Sequence, residues 1–273
     1  MSKKNEVGKP LARYENTLDV YMEKGKNAIP ESVNADRLKM NALMAITEDS
    51  KLMQEAVNQP QKIAQFVYNA VLQGLDLLNR EAYILNYGGK LQMVLDYKAE
   101  KKLALQYSVK PIKQILSGVV KENDEHSFND EGHFLHKYSP FDSEKDRGAI
   151  IGAYCTIFYQ DGTREDTFVN NEEIEKVKNV SPSSKSNYSP WVRWKESMIE
   201  KTVIKKAMKS VYLDFANTEQ QKAYMDSNQD VVFDNERKSE QETVVQDDAF
   251  DYIDAEYEEN SDEEVVEVVV DLD

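Results

Sequence analysis

Apolar residues recur with helical spacing through the first third of the chain. Residues 34–78 follow this pattern, and within the segment 60–74 proline opens and glycine closes the run, as helix ends prefer. The apolar face of that segment contains Ile63, Phe66, Val67, Ala70 and Val71. A shorter helical pattern over 11–22 lies in a lysine-bearing stretch, so we predict a short helix on a mobile arm of residues 1–30.

After residue 80 the pattern becomes typical of strands. Residues 82–87 and 90–96 flank Gly88 and Gly89, which can take the positive φ of a tight hairpin turn. A short helix over 97–106 follows. Further strand-like runs cover 111–121, 126–138, 150–159 and 164–169, with a hairpin turn at 160–163. The predicted fold class is α+β, with a mainly antiparallel sheet and flanking helices.

A long basic C-terminal helix is predicted over residues 190–213. Its apolar face contains Ile199, Val203, Ile204, Ala207, Met208 and Val211. Five lysines fall on the opposite side, with Trp194, Met198 and Tyr212 among or beside them; they are Lys195, Lys201, Lys205, Lys206 and Lys209. Because Glu196 and Glu200 lie outside this cluster, the pattern fits a positive ridge that follows a phosphate backbone. Taken alone, a merely solvated lysine face is an equal alternative.

A second basic stripe lies on the predicted helix over 97–106. Lys98, Lys101 and Lys102 share one face there, and two ridges on separate elements favour a positive groove over chance. The Ser-rich loop over 181–189 adds short polar donors of the kind that contact phosphates. The candidate nucleic-acid contacts are Tyr97, Lys98, Lys101, Lys102, Lys110, Lys113, Lys185, Ser186, Asn187, Arg193, Trp194, Lys195, Lys201, Lys205, Lys206 and Lys209. Stacking on bases is left open for Tyr97 and Trp194, whereas Trp191 is expected to pack.

Charge divides the chain unevenly. The net charge is −16 over 273 residues, but residues 214–273 hold 21 acidic and three basic side chains, which leaves residues 1–213 at +2. An acidic total therefore does not argue against nucleic-acid binding by the body. We predict a DNA-binding core over 31–213 and an acidic, largely disordered tail over 214–273. The tail could compete with DNA, bind a basic partner or simply keep the protein soluble.

Several other classes lack support in the sequence. No apolar run is long enough to span a membrane, and the single cysteine, Cys155, cannot form an internal disulfide, so a cytosolic protein is expected. No phosphate-binding P-loop motif is present. His126, His133 and His136 are expected to be plain surface residues rather than zinc ligands. No catalytic residue, metal or cofactor is predicted.

Three stretches in order carry a family resemblance. The first joins residues 73–76 to the strand-like run 80–85, and the second is the run 89–97, GKLQMVLDY. The third combines Trp191 and Trp194 with Lys201, Lys205 and Lys206. Together with residues 33–37 they span about 33–213 and resemble the RecT family of phage and prophage recombinases, related to the Redβ annealing proteins. Glu200 departs from the family pattern, which has a lysine there.

The resemblance implies a protein that coats single-stranded DNA and anneals a complementary strand without ATP in homologous recombination. It also implies a homo-oligomeric ring or helical filament in the cytoplasm of a bacterial host, with a 5′→3′ exonuclease and a host single-strand-binding protein as possible partners. Two alternatives remain open at this point. One is a metal-dependent nuclease using Asp76 and Glu100 beside Lys102, and the other is a non-catalytic interaction scaffold.

Overall fold

The N-terminal part of the protein is a layer of helices. The computed structural model describes residues 8–87, 89–180 and 188–227. The first four α-helices are α1 (Gly8–Lys24), α2 (Ala35–Glu48), α3 (Ser50–Asn58) and α4 (Pro60–Leu72). The predicted apolar face of α4 is confirmed, because all five of its residues are buried. Proline stands at the start of α4, and Gly74 beyond its end takes φ +68° where the chain turns away.

Helix α1 packs against this layer and does not form an arm. Leu11, Tyr14 and Leu18 recur at helical spacing, and all three are buried in the same core cluster as Ile63 and Val67 of α4. The prediction of a mobile arm is therefore wrong for residues 8–24, since this helix has an apolar face that α4 covers. Residues 1–7 lie outside the described part of the chain.

The first two strands form the predicted hairpin. Strands β1 (Ala82–Tyr87) and β2 (Lys90–Leu95) pair antiparallel, with Tyr87 opposite Lys90. Gly89 takes φ +86°, as the tight turn requires, while Gly88 lies outside the described residues. The alternation predicted for β2 is confirmed, because Leu91, Met93 and Leu95 are buried and the residues between them are half-buried.

A three-stranded antiparallel sheet forms the second half of the body. Its order is β3–β6–β7, and a separate hairpin of β4 and β5 lies beside it. The bounds are β3 (Ile112–Lys121), β4 (Glu125–Phe128), β5 (Phe134–Lys137), β6 (Ile150–Tyr159) and β7 (Arg164–Asn170). Gly162 in the β6–β7 turn takes φ +88°. The α+β class and the predicted antiparallel pairing are confirmed.

Helices flank this sheet. They are α5 (Tyr97–Tyr107), α6 (Glu144–Arg147), α7 (Asn171–Val180), α8 (Pro190–Arg193), α9 (Lys195–Met208) and α10 (Thr218–Ser227). The buried face of α9 packs with Ile157 of β6 and Ile112 of β3 in a second core cluster. No helix within the described ranges has the length and apolar character needed to cross a bilayer.

The long helix predicted over 190–213 is divided in the structure. Trp194 leaves the helical region with φ −127° and ψ 41°, which separates α8 from α9. Trp191, in α8, is 2% exposed and belongs to the same core cluster as Met198 and Ile199 of α9, so its predicted packing role is confirmed. Beyond Met208 the chain extends, and Leu213 forms an isolated β-bridge with Ser108.

The folded body continues past residue 213. In α10, Gln220, Ala223 and Ser227 are buried, and the Gln220 amide donates to the Leu72 carbonyl at the end of α4. The ring of Phe215 lies 4.8 Å from that of Tyr107. The predicted tail boundary at residue 214 is therefore wrong, since residues 214–227 bury side chains against α4 and α5. Residues 228–273 lie outside the described part of the chain.

A buried carboxylate anchors the β4–β5 hairpin. The Asp124 carboxylate accepts hydrogen bonds from Arg147 at 2.6 and 2.8 Å, from His136 Nε2 at 2.9 Å and from the Lys121 amide at 2.9 Å. Burial alone raises the pKa of Asp124, but these donors outweigh it and hold the pKa well below its ordinary value. The His136 side chain is also buried, so its predicted surface position is wrong.

We expect Asp124→Asn to lower the free energy of unfolding at pH 7 by about 3 kcal/mol, because it leaves Arg147 and His136 facing a neutral group. Since folding lowers the pKa of Asp124, its carboxylate contributes stability above the unfolded value near pH 4 and loses that contribution as the pH falls. The difference between variant and wild type should therefore shrink from about pH 5 downward. Urea unfolding at several pH values measures this difference.

Asp130→Asn is the matched control, since Asp130 is an exposed carboxylate in the turn of the same hairpin. It should change stability by less than about 0.5 kcal/mol. A deficit for Asp124→Asn that stays constant from pH 7 to pH 3 contradicts the assigned role.

Candidate nucleic-acid interface

Helix α5 presents a basic face to the outside. Asp96 caps the helix by accepting from the Lys98 amide at 3.0 Å, while Ala99 and Leu103 face the core. The outer residues border a shallow depression of about 570 Å³, here called the α5 surface; they are Tyr97, Lys98, Lys101, Lys102, Leu105 and Gln106. Leu105 and Gln106 were missed in the sequence, although Leu105 lies one to two helical turns from the three lysines on the same face.

Two lysines from different helices meet at Tyr97. The ammonium nitrogen of Lys98 lies 6.0 Å from the Tyr97 ring centroid, and that of Lys201 on α9 lies 5.9 Å from it. Both distances are within the range of cation–π attraction. The α5 stripe and the α9 ridge predicted from the sequence therefore adjoin at one point, and Tyr97 marks the junction.

Two acidic side chains of α9 lie near this junction. Burial raises the pKa of Glu200, repulsion from Glu196 adds to the increase, and Lys101 acts against it. Glu196 itself pairs with Lys121 at 2.5 Å. These carboxylates therefore offset part of the positive charge that the α9 lysines bring to this side of the protein.

Lys102 is tied to the protein interior. Its ammonium donates to the Gly74 carbonyl at 2.8 Å and to the Glu81 carboxylate at 2.7 Å. Glu81 also accepts from the Asp76 amide at 2.9 Å. Lys102 therefore joins α5 to the turn after α4 and contributes less positive charge to the α5 surface than its neighbours. Glu81 was missed in the sequence, where nothing marked it as a partner.

The lysines of α9 do not form the continuous exposed ridge that was predicted. Lys205 is only 5% exposed, and its ammonium donates to the Leu95 carbonyl at 3.2 Å and faces Glu100 at 3.8 Å. Lys206 points to the other side of α9 and pairs with Glu173. Met198, predicted beside the lysines, is buried. The ridge prediction is wrong at these positions because α5 and the sheet cover both sides of α9.

The remaining α9 lysines, Lys195 and Lys209, are exposed near the beginning and at the end of the helix.

Lys110 and Lys113 lie beyond the opposite end of α5 from Lys98. The ammonium of Lys110 sits 4.3 Å from the Tyr159 ring centroid and 3.2 Å from the Asp161 carboxylate, so it supports the β6–β7 turn. Lys113 is exposed on β3. With α5 spanning about 16 Å, these two lysines extend the basic region but do not join the cluster at Tyr97.

The corner between α8 and α9 carries exposed cations and aromatic rings. The Arg193 guanidinium lies 4.9 Å from the ring centroid of Tyr188, and Lys195 follows Trp194. Trp194 is 60% exposed, in contrast to the buried Trp191. Three other candidates from the sequence, Lys185, Ser186 and Asn187, lie outside the described residues.

The two acids of the nuclease alternative do not converge. Asp76 accepts from the Asn41 amide at 2.7 Å and from the Leu78 backbone at 3.0 Å, while Glu100 faces Lys205. Within residues 8–87, 89–180 and 188–227, no group of three His, Cys, Asp or Glu side chains has the geometry to hold a metal ion. The described residues therefore contain no carboxylate cluster of the kind that metal-dependent hydrolysis requires.

An α+β body with lysines gathered between two helices is suited to an extended anionic ligand. Comparison with known proteins identifies the family to which such a body belongs. Residues 36–246 match the RecT family. Protein RecT of Escherichia coli (strain K12) is 27% identical over 164 residues, which cover 56% of this chain and 57% of that protein. The chain belongs to the RecT family, as the sequence motifs predicted, and it spans a little over half the length of this curated relative.

We expect Lys205→Ala to act on stability first. It removes the ammonium that faces the buried Glu100 and leaves the Leu95 carbonyl without this donor, so the free energy of unfolding should fall by about 3 kcal/mol. Lys195→Ala, at an exposed position on the same helix, should change it by less than about 0.5 kcal/mol. Urea unfolding of both variants measures this difference, and equal stabilities would contradict the assigned role of Lys205.

Proposed function

We propose that this protein anneals complementary single-stranded DNA without ATP during homologous recombination, binding the DNA through its phosphate backbone. The observation that carries the proposal is the meeting of Lys98 and Lys201 at Tyr97, in a chain that belongs to the RecT family. A basic surface shared by two helices offers cations from two directions to one strand. Lys101, on the same face of α5, extends it.

Localised cations matter here because DNA strands are highly charged anions. Two complementary strands repel each other through their phosphates, and lysines that neutralise phosphates also release condensed counterions. Residues 1–213 carry a net charge of only +2, so the position of the lysines matters more than their number. Backbone contacts leave the Watson–Crick edges free, and base pairing then supplies the sequence match, as it does in guided recognition.

The other predicted contacts have graded roles in this proposal. Lys205 supports the interface from within, and Lys102, Lys110 and Lys206 hold protein partners. The remaining positions are further proposed contacts of the DNA; they are Lys113, Lys185, Ser186, Asn187, Arg193, Lys195 and Lys209. The protein acts without a catalytic residue or cofactor of its own.

We also propose the assembly and setting that the family implies. Copies of the chain form a homo-oligomeric ring or helical filament in the bacterial cytoplasm, so that adjacent basic surfaces follow one strand. A 5′→3′ exonuclease supplies the single strand, and a host single-strand-binding protein is a second partner.

The annealing activity itself is tested with two labelled complementary oligonucleotides, without nucleotide and with or without Mg²⁺. The protein should accelerate pairing above the spontaneous rate in both conditions and leave the strands intact. Degradation in Mg²⁺ would instead indicate a nuclease. A lack of any salt-dependent DNA affinity would indicate an interaction scaffold.

The proposed surface is tested by changing Lys98, Lys101 and Lys201 to Ala together. Loss of three phosphate contacts should weaken single-strand binding and reduce the slope of log affinity against log salt by about 2, at about 0.7 per contact. Fluorescence anisotropy of a labelled oligothymidylate at several salt concentrations measures both quantities.

The matched control changes Lys137, Lys145 and Lys176 to Ala, which removes the same charge from exposed positions on β5, α6 and α7. Its affinity and salt slope should stay close to the wild-type values. If the control loses as much as the first variant, net charge and not the surface at Tyr97 governs binding.

A further inference from the structure

Trp194 is placed unusually for a tryptophan. It is 60% exposed at the corner between α8 and α9, although this side chain stabilises a fold most when its large apolar surface is buried. Trp191, three residues earlier in α8, is buried, whereas Trp194 stands at the break between the two helices and is exposed. One indole ring is thus part of the core, and the other faces solvent.

Both chain neighbours of Trp194 are cationic. Arg193 precedes it and Lys195 follows it, and both side chains are exposed. The Arg193 guanidinium also lies over the ring of Tyr188, which is itself exposed. An aromatic face with cations beside it is the arrangement that binds single-stranded nucleic acid, because the ring stacks on a base while the cations meet the adjacent phosphates.

The corner also lies near the basic surface at Tyr97. Trp194 is the N-cap of α9 and precedes Lys201 by seven residues, which is two helical turns, or roughly 10 Å, along the helix axis. Lys201 then adjoins the Tyr97 ring. This spacing is short enough for one strand to contact both Lys201 and the Trp194 corner.

We infer that Trp194 is a stacking platform for an unpaired base of the bound strand, with Arg193 and Lys195 holding the neighbouring phosphates. This inference rests on the proposed function and adds a source of strand selectivity to it. A base in a duplex already has neighbours on both faces, so the platform favours single strands over annealed product. Stacking occupies the face of the base and leaves its pairing edge free for the incoming strand.

The two tryptophans of the chain allow a direct optical test. Trp191→Phe leaves Trp194 as the single fluorescent indole, and it sacrifices no hydrogen bond because the buried Trp191 Nε1 has no partner among the described residues. Adding an oligothymidylate should quench this fluorescence, and adding the complementary oligoadenylate should restore it as the strands pair. If Trp191→Phe does not fold, the difference between wild type and Trp194→Ala under the same additions gives the same signal.

Binding measurements give the second readout. Trp194→Ala should weaken binding to the oligothymidylate about 5- to 100-fold and change binding to a duplex by less than about twofold. Trp194→Phe should retain most of the affinity, since it keeps an aromatic face. Phe141→Ala is the control, because Phe141 is an almost fully exposed aromatic residue in a different, acid-rich segment, and it should bind like wild type.

The outcomes separate this inference from the proposed function. If wild-type protein binds and anneals single strands, but Trp194 fluorescence is unchanged by DNA and Trp194→Ala binds normally, the platform is wrong and the function stands. Fluorescence that changes only with protein concentration, without DNA, assigns Trp194 to a subunit contact and also overturns the platform. If wild type shows no salt-dependent affinity for single strands, the proposed function fails.

Discussion

The contact of Lys205 with Leu95 and Glu100 joins the end of β2, the helix α5 and the helix α9 at one buried point. A buried ammonium costs free energy unless a charge and hydrogen-bond acceptors compensate it, so the three elements cannot shift independently. This contact sets α9 beside the first turns of α5, which brings Lys201 next to Tyr97. The candidate interface therefore depends on a lysine that lies beneath it.

The lysines of this protein divide into those that hold the fold and those that face solvent. Lys102, Lys110 and Lys206 each have a carboxylate partner, whereas Lys98 and Lys113 are exposed. In a body with little net charge, this division determines where an anionic polymer finds a positive potential. A count of basic residues along α9 overstates that potential. The lysines of α9 face different sides of the helix, and other elements cover two of those sides.

Backbone attraction and base stacking serve the proposed annealing reaction in complementary ways. In that proposal the lysines at Tyr97 would contact the phosphates and the exposed indole of Trp194 would contact the face of a base, so neither would block the edges that form base pairs. A protein working in this way needs no nucleotide hydrolysis, because base pairing supplies the driving force.

The hydrophobic pattern by itself determined the α+β class, the hairpins that turn at Gly89 and Gly162, the buried face of α4 and the apolar side of α9, since local periodicity reports which residues share a face. It predicted a single strand-like run over 126–138, where the structure has the β4–β5 hairpin with Gly132 in its turn. The positions of charged and aromatic residues also identified Tyr97, Lys98 and Lys201 as candidate DNA contacts, and three sequence motifs in order identified the family. Only the tertiary structure decided that Lys205 is buried, that the last long helix breaks at Trp194 and that residues 8–24 and 214–227 join the body. Periodicity does not show which neighbouring element will cover the polar face of a helix, or where a long helix will break. Both depend on contacts between segments that are far apart in the chain.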